Sequence, residues 1–385
     1  MQENNFLTCI KKQLVMNKIS IRSSLILSIL GVLAITFFLI IENTKLEKET
    51  DWYDEKIEAS RLAKTAHQYL KDSRFKNAEF ADNINDPNET GLIGQEFSLI
   101  STGRGSLSIK ASTVNPNFAG MVVQLLKDAG VEKGDHVALC MTGSFPALNI
   151  STIAALQTLG AKPIVISSVT ASTWGATDPQ FTWLDMETAL YEKGIFKSKS
   201  IAASIGGNGD IGRALSEEGR ALALRAISRN KLSVVGVDSL EDNIINRVKY
   251  FQEASLSKPI GLYINIGGGV ASIGSKRNGL AIATGLNEDI KLMDFPDKKG
   301  VMFQMAQMKI PIIHLLRLST LMNQYKLPYE PIPIPEIGEG PLYKTLKYNL
   351  LIVGGCLLVL VVLIGAIVMQ DKKRSELGTE VIHTK

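Results

Sequence analysis

Residues 201–215 read IAASIGGNGDIGRAL. A short apolar run ends in glycines and a helix-like pattern follows. Gly207, Gly209 and Gly212 fit the G-x-G-x-x-G spacing that opens a dinucleotide-binding unit. There the first glycine allows a tight turn, the second lets backbone approach a phosphate, and the third lets helix pack on strand. The next strand, 232–237, ends at Asp238, the position of an acid for a ribose hydroxyl. The interval from Gly212 to Asp238 is longer than the roughly 20 residues such an acid requires. What the motif does secure is a strand–glycine–helix turn.

Working outward from that turn, strands alternate with helices. HVALCM (136–141) is a buried-type strand, and Thr142-Gly143-Ser144 turns into a helix ending near Gly160. Strand 163–168, helix 181–193, strand 200–205, the glycine loop, a helix to Arg229, strand 232–237, helix 239–254 and strand 261–266 follow. The alternation predicts an α/β fold with a doubly wound, mostly parallel sheet. Upstream, 97–102 reads as a strand, and Asn115-Pro116 reads as the N-cap and first residue of a helix running to Asp128. Downstream of Gly267-Gly268-Gly269, residues 301–325 read as holding a helix that carries Met302, Met305, Met308 and His314, methionines at a core-packing spacing.

The flanks set the setting. Residues 24–41 and 350–369 contain no charged side chain. At ~1.5 Å per residue each reaches roughly 27–30 Å, one hydrocarbon core. Lys11, Lys12, Lys18 and Arg22 precede the first, and Lys372, Lys373 and Arg374 follow the second. That distribution predicts a two-pass membrane protein with both termini cytoplasmic and residues 42–349 outside. The chain then divides into a tail (1–23), a span (24–41), a helical stalk and linker (42–90), an α/β domain (91–327), a Pro-rich connector (328–349), a second span (350–369) and a second tail (370–385). Within the stalk, His67 reads as a surface residue. Cys9, Cys140 and Cys356 fall in three different compartments, so no disulfide is expected. Net charge is +4 over 385 residues, with no block of like charge. Nucleic acid is therefore not an expected partner. The four His are scattered, without H-x-x-x-H or C-x-x-C spacing, and no metal site is expected.

Parallel sheets bind ligands outside the carboxyl ends of their strands, which singles out loops 142–145, 167–178, 206–213, 238–242 and 267–277. In the first, Gly143 and Ser144 could hold an anion through backbone amides, or Ser144 could be a nucleophile; its bland reading is an N-cap. In the second, Ser168, Trp174 and Asp178 are candidate ligand contacts. In the third, Gly207, Asn208, Gly209 and Arg213 suit an anion bound by amides, a helix N-terminus and a cation. Gly268, Lys276 and Arg277 follow the last glycine cluster, and Arg104 lies in a further glycine-rich loop. An external location makes a dinucleotide an unfavourable ligand, so no cofactor is expected. An inverted topology would restore the nucleotide reading.

Residues 130–166 (GVEKGDHVALCMTGSFPAL…AALQTLGAKPIVI) resemble the early segment of adenylate-forming enzymes but lack that family's phosphate loop, so the likeness reduces to a shared βαβ pattern. A broader resemblance rests on NPNF (115–118), GSFPALNI (143–150), ISSVTASTWGATDPQFTWLDME (166–187) and GGNGDIGRAL (206–215), set between two terminal spans. These are similar to the poly-gamma-glutamate system protein family of bacteria. The resemblance implies a cell-envelope role in making, exporting or anchoring poly-γ-glutamate, a capsule polymer. It also implies the polymer or another anionic chain, the other subunits of the machinery, and the membrane as partners. It supplies no catalytic residues. The competing expectation is an extracytoplasmic hydrolase or transferase acting on an amide-linked polymer, with Ser144 as nucleophile and no evident base.

Overall fold

The computed structural model describes residues 24–74, 84–236 and 238–380, with side chains to 373. The N-terminal tail with Cys9 and its basic flank, residues 75–83 of the expected stalk and linker, and Val237 lie outside the described residues. The chain divides into two compact units, one made of its two ends and one spanning Glu49–Lys344.

The first unit holds α1 (Ser24–Asn43), β1 (Leu46–Glu49), β11 (Lys344–Lys347) and α13 (Leu350–Glu380). Strands β1 and β11 pair with each other. Helix α1 and residues Leu350–Lys373 of α13 are long and apolar enough to cross a membrane, and neither buries its apolar window inside the protein. Leu25, Val32, Ile35 and Phe38 on one helix, and Leu351, Leu358 and Val362 on the other, are exposed.

The second unit is an α/β domain around a seven-stranded sheet of order β7-β6-β4-β3-β8-β10-β9. Its strands are β3 (His136–Thr142), β4 (Lys162–Ser168), β6 (Ala202–Ser204), β7 (Ser233–Val234), β8 (Ile260–Ile266), β9 (Gly285–Asn287) and β10 (Ile312–Leu315). All neighbours run parallel except β9 against β10. Side chains alternate between the two faces of a strand, and here both faces are covered. Val137, Leu139 and Met141 enter the core on one side, while Ala138 and Cys140 enter the core on the other. Leu262 and Ile264 flank Tyr263 in the same way. Unbroken apolar runs such as HVALCM follow from that double cover.

Two expectations change here. Residues 301–325 hold two helices with a strand between them, α11 (Val301–Gln307), β10 and α12 (Leu318–Tyr325). His314 therefore sits in the sheet, where it pairs in register with Asn265. Its Nδ1 accepts from Asn265 Nδ2 at 3.0 Å, so Nε2 carries the proton toward Gly279 O at 3.2 Å. Burial holds this imidazole down at about 4, and it stays neutral. Asn115 does not cap a helix. Its Oδ1 accepts from Asn117 N at 3.0 Å in a local turn, and α4 (Phe118–Asp128) starts after it.

Helix α2 (Tyr53–Arg74) presents a stripe of small residues, Ala59, Ala63 and Ala66, all fully buried, that lets it pack closely on α4 and on α5 (Pro146–Thr158). His67, expected at the surface, lies in this buried stripe because it falls one turn beyond Ala63.

Candidate functional site

The chain enters the sheet at β3, steps outward through β4, β6 and β7, and returns to place β8 on the other side of β3. Loops leaving β3 and β8 therefore diverge, and the crevice between their carboxyl ends is where such sheets bind ligands. Close backbone approach shapes that end. Gly143 N donates to Ser168 O at 3.0 Å and Ala176 N donates to Gly143 O at 2.7 Å. A Cβ on Gly175 would lie 2.6 Å from Gly143 O and 2.9 Å from Ser144 Cα, and one on Gly267 would lie 2.7 Å from Thr142 Oγ1. Gly268 is exposed beside it.

Ser144 does not cap α5: the helix begins at Pro146, with Phe145 at the cap position. Instead the half-buried Ser144 Oγ accepts from Ser172 N at 3.0 Å. Ser172 belongs to β5 (Ala171–Ser172), which pairs in parallel with β2 (Ser101–Gly103), apart from the main sheet. The expected strand at 97–102 is thus shorter, three residues starting four later at Ser101. Most of the 167–178 loop is buried rather than solvated. Trp174 packs against the main core, with a left-handed φ of 67°. Asp178 faces Arg74 at 3.8 Å.

The glycine loop is a compact knot. Gly207, Gly209, Asp210 and Gly212 all have φ between 63° and 69°. Left-handed φ is what glycine supplies at least cost. The amides of Gly206, Asp210, Gly212 and Arg213 donate to carbonyls within the loop. Helix α7 (Glu217–Arg229) begins beyond Arg213 and is capped by Ser216, whose Oγ accepts from Gly219 N at 3.0 Å. The helix N-terminus is therefore separate from the loop, unlike a dinucleotide turn.

Sequence reasoning missed what the loop is built on. Asp210 is buried and paired at 2.6 Å with Arg247, which rises from the middle of α8 (Leu240–Ala254). Asp210 Oδ1 also accepts from Ser204 Oγ at 2.9 Å, and Oδ2 from Asn243 Nδ2 at 3.0 Å; Arg247 donates to Ser204 Oγ at 2.7 Å. Ser168 completes this set, its hydroxyl 3.3 Å from Asp210 Oδ1. Ser168 and Asp210 thus serve a buried polar cluster under the loop.

At the surface of this edge Arg104, Asn208, Arg213, Lys276 and Arg277 are exposed. Arg277 faces Asp297 at 3.6 Å. Arg104, Arg213 and Lys276 have no ion-pair partner among the described residues. The loops of Arg104 and Arg213 are neighbours, because a Cβ on Gly207 would lie 2.7 Å from Thr102 Cγ2.

A second residue escaped the sequence entirely. Lys110, in α3 (Leu107–Thr113), is only 2% exposed. Its Nζ donates to Ser172 Oγ at 2.9 Å and Ser172 O at 3.2 Å, and lies 5.2 Å from the centre of the Phe145 ring. Burial pushes the amine down to about 7. Nothing in the pattern LSIKAST marks this lysine, since it meets Ser172 only through the pairing of β2 with β5.

No family model and no curated protein matches this chain. A solved structure, the crystal structure of an archaeal alanine:glyoxylate aminotransferase, aligns at 15% identity with a TM-score of 0.16. The alignment covers 81% of this chain and 61% of that one, so this chain spans about three fifths of that enzyme's length. A superposition this poor carries no argument about fold or activity.

Proposed function

We propose that this chain is a membrane-anchored component of poly-γ-glutamate production, with α1 and α13 as its two spans and its α/β domain on the outer side. The domain binds the emerging polyanion at the carboxyl edge of its sheet. The observation that carries this reading is the set of exposed cations Arg104, Arg213 and Lys276, without ion-pair partners among the described residues, the two arginines on neighbouring loops and Lys276 at the first turn of the helix Lys276–Ala281. Opposite-charge contacts at a solvated rim are individually weak and salt-screened. A polymer with a carboxylate on every residue engages several of them at once, and the effect multiplies.

The test is fluorescence anisotropy of labelled poly-γ-glutamate with the full chain in detergent micelles. Replacing Arg213 and Lys276 together by Ala should weaken binding roughly fivefold at low salt, about 1 kcal/mol for two rim charges. The difference should shrink as salt rises. Equal affinity of the variant and the parent at low salt refutes the assignment.

A further inference from the structure

Lysine is almost never fully buried without a partner carboxylate, and among the described residues Lys56 and Lys110 are both buried without an ion pair. Lys56, 1% exposed, donates to Thr50 Oγ1 at 3.0 Å and Leu342 O at 3.1 Å; burial pulls its amine down, and the carboxylates of Asp51, Asp128 and Glu55 oppose that. Lys110 has no such neighbour: its amine meets a serine hydroxyl, a carbonyl and a ring face. A bare ammonium in that place is costly, and a neutral amine is not. A neutral amine is also a base, and the group next to it is a hydroxyl.

We propose that Ser172 and Lys110 form a nucleophile–base pair for acyl transfer, acting on an amide or ester carbonyl whose acyl group carries a carboxylate. The geometry meets the requirement that nucleophile and base lie within hydrogen-bond reach, at 2.9 Å. Ser144 holds the nucleophile in place, since its Oγ accepts from the Ser172 amide at 3.0 Å. Gly105 packs directly against the pair: a Cβ there would lie 2.8 Å from Ser172 Oγ and 2.8 Å from Lys110 Cε. Arg104, exposed and adjacent to that glycine, supplies the cation for the substrate carboxylate. This chemistry does not depend on the polymer reading above, although a γ-glutamyl amide belongs to the substrate class.

In the first half-reaction the Ser172 oxygen bonds to the carbonyl carbon as its proton passes to Lys110 Nζ. The carbon–nitrogen or carbon–oxygen bond then breaks, and Lys110 returns the proton to the departing amine or alcohol. In the second half-reaction water attacks the acyl-serine ester, again losing a proton to Lys110. The acid leaves and the Ser172 hydroxyl is restored by that proton.

The experiment treats the full chain in detergent micelles with a fluorophosphonate probe, which loses fluoride to an activated serine, and maps the adduct by peptide mass spectrometry. The adduct is expected on Ser172, with a labelling rate that rises through pH 7 and is lost in Ser172→Ala. Lys110→Met should lower the rate by about 100-fold, the lower end of what a positioned base contributes. Gly105→Ala should also suppress it, at a cost in melting temperature, because the added Cβ displaces the Lys110 and Ser172 side chains. Should Lys110→Met not fold, the pH profile of the parent and the Gly105→Ala rate decide. No adduct above the heat-denatured control, an adduct on Ser144 in place of Ser172, or a parent rate flat across pH 6–8 overturns the proposal.

Discussion

Replacing Asp210 by Asn isolates the interaction that holds the glycine loop to the sheet. The side chain keeps its volume and loses its charge. Both members of the Asp210–Arg247 pair are nearly inaccessible, at 1% and 2% side-chain exposure, and 2.6 Å apart. Removing one charge leaves the guanidinium buried without compensation, a change that costs about 3–5 kcal/mol. At roughly 2 °C per kcal/mol for a domain of this size, the melting temperature should fall by about 6–10 °C. Differential scanning fluorimetry of the full chain in detergent reads this directly. Arg277→Gln is the control. It breaks a pair whose arginine is 74% exposed, and such pairs contribute at most about 1 kcal/mol. Removing both charges, in Asp210→Leu with Arg247→Met, should recover much of the loss, because two apolar side chains need no compensation. If Asp210→Asn melts within about 2 °C of the parent, the pair is not what secures the loop.

Two further outcomes follow from the same packing. Glu187 is fully buried in α6 (Trp183–Glu192), and burial pushes its carboxyl from 4.5 up to about 7 against the pull of Ser200 and Lys199. The folded state then holds this proton more tightly than the unfolded state, so stability declines as pH rises from about 4.5 to about 7. The decline is on the order of 3 kcal/mol. Glu187→Gln should flatten it, raising the variant's melting temperature relative to the parent more at pH 8 than at pH 5; an equal difference at both values counts against the burial argument. Gly175→Ala should cost about 1–3 kcal/mol in a thermal melt, since its Cβ would lie 2.6 Å from Gly143 O and 3.0 Å from Ala171 Cβ. Gly103→Ala, with no atom within 4 Å of the added carbon, is the matched substitution that should leave the melt unchanged.

The parallel sheet was legible in the sequence because its central strands are buried on both faces. Strands β3, β4 and β8 are each seven residues long and hold short apolar runs. Strand β10 was not legible. It has four residues between Pro311 and a helix, and the methionines before it and the leucines after it keep a helical spacing that runs across it. At the site, what could be read was position: the loops at the carboxyl ends of β3, β4, β6 and β8 do gather at one edge. What could not be read was pairing across sequence. Asp210 and Arg247 are 37 residues apart and Lys110 and Ser172 are 62 apart. No local spacing rule connects them, and only the register of the strands brings them together.

Those two pairs divide the edge by function. Arg247 and Asp210 sum to zero charge, and Ser168, Ser204 and Asn243 surround them with hydrogen bonds. A cluster satisfied in this way gains nothing by giving up a proton, and its worth shows in stability. Lys110 stands in an equally dry place with no opposite charge, so its environment favours the amine over the ammonium. The same low dielectric that makes one pair a structural clamp therefore makes the other a proton acceptor. Stability measurements on Asp210 and labelling measurements on Ser172 should accordingly separate. Loss of the Asp210 carboxylate lowers the melting temperature, whereas loss of the Lys110 amine slows the reaction of Ser172 and removes its dependence on pH near 7.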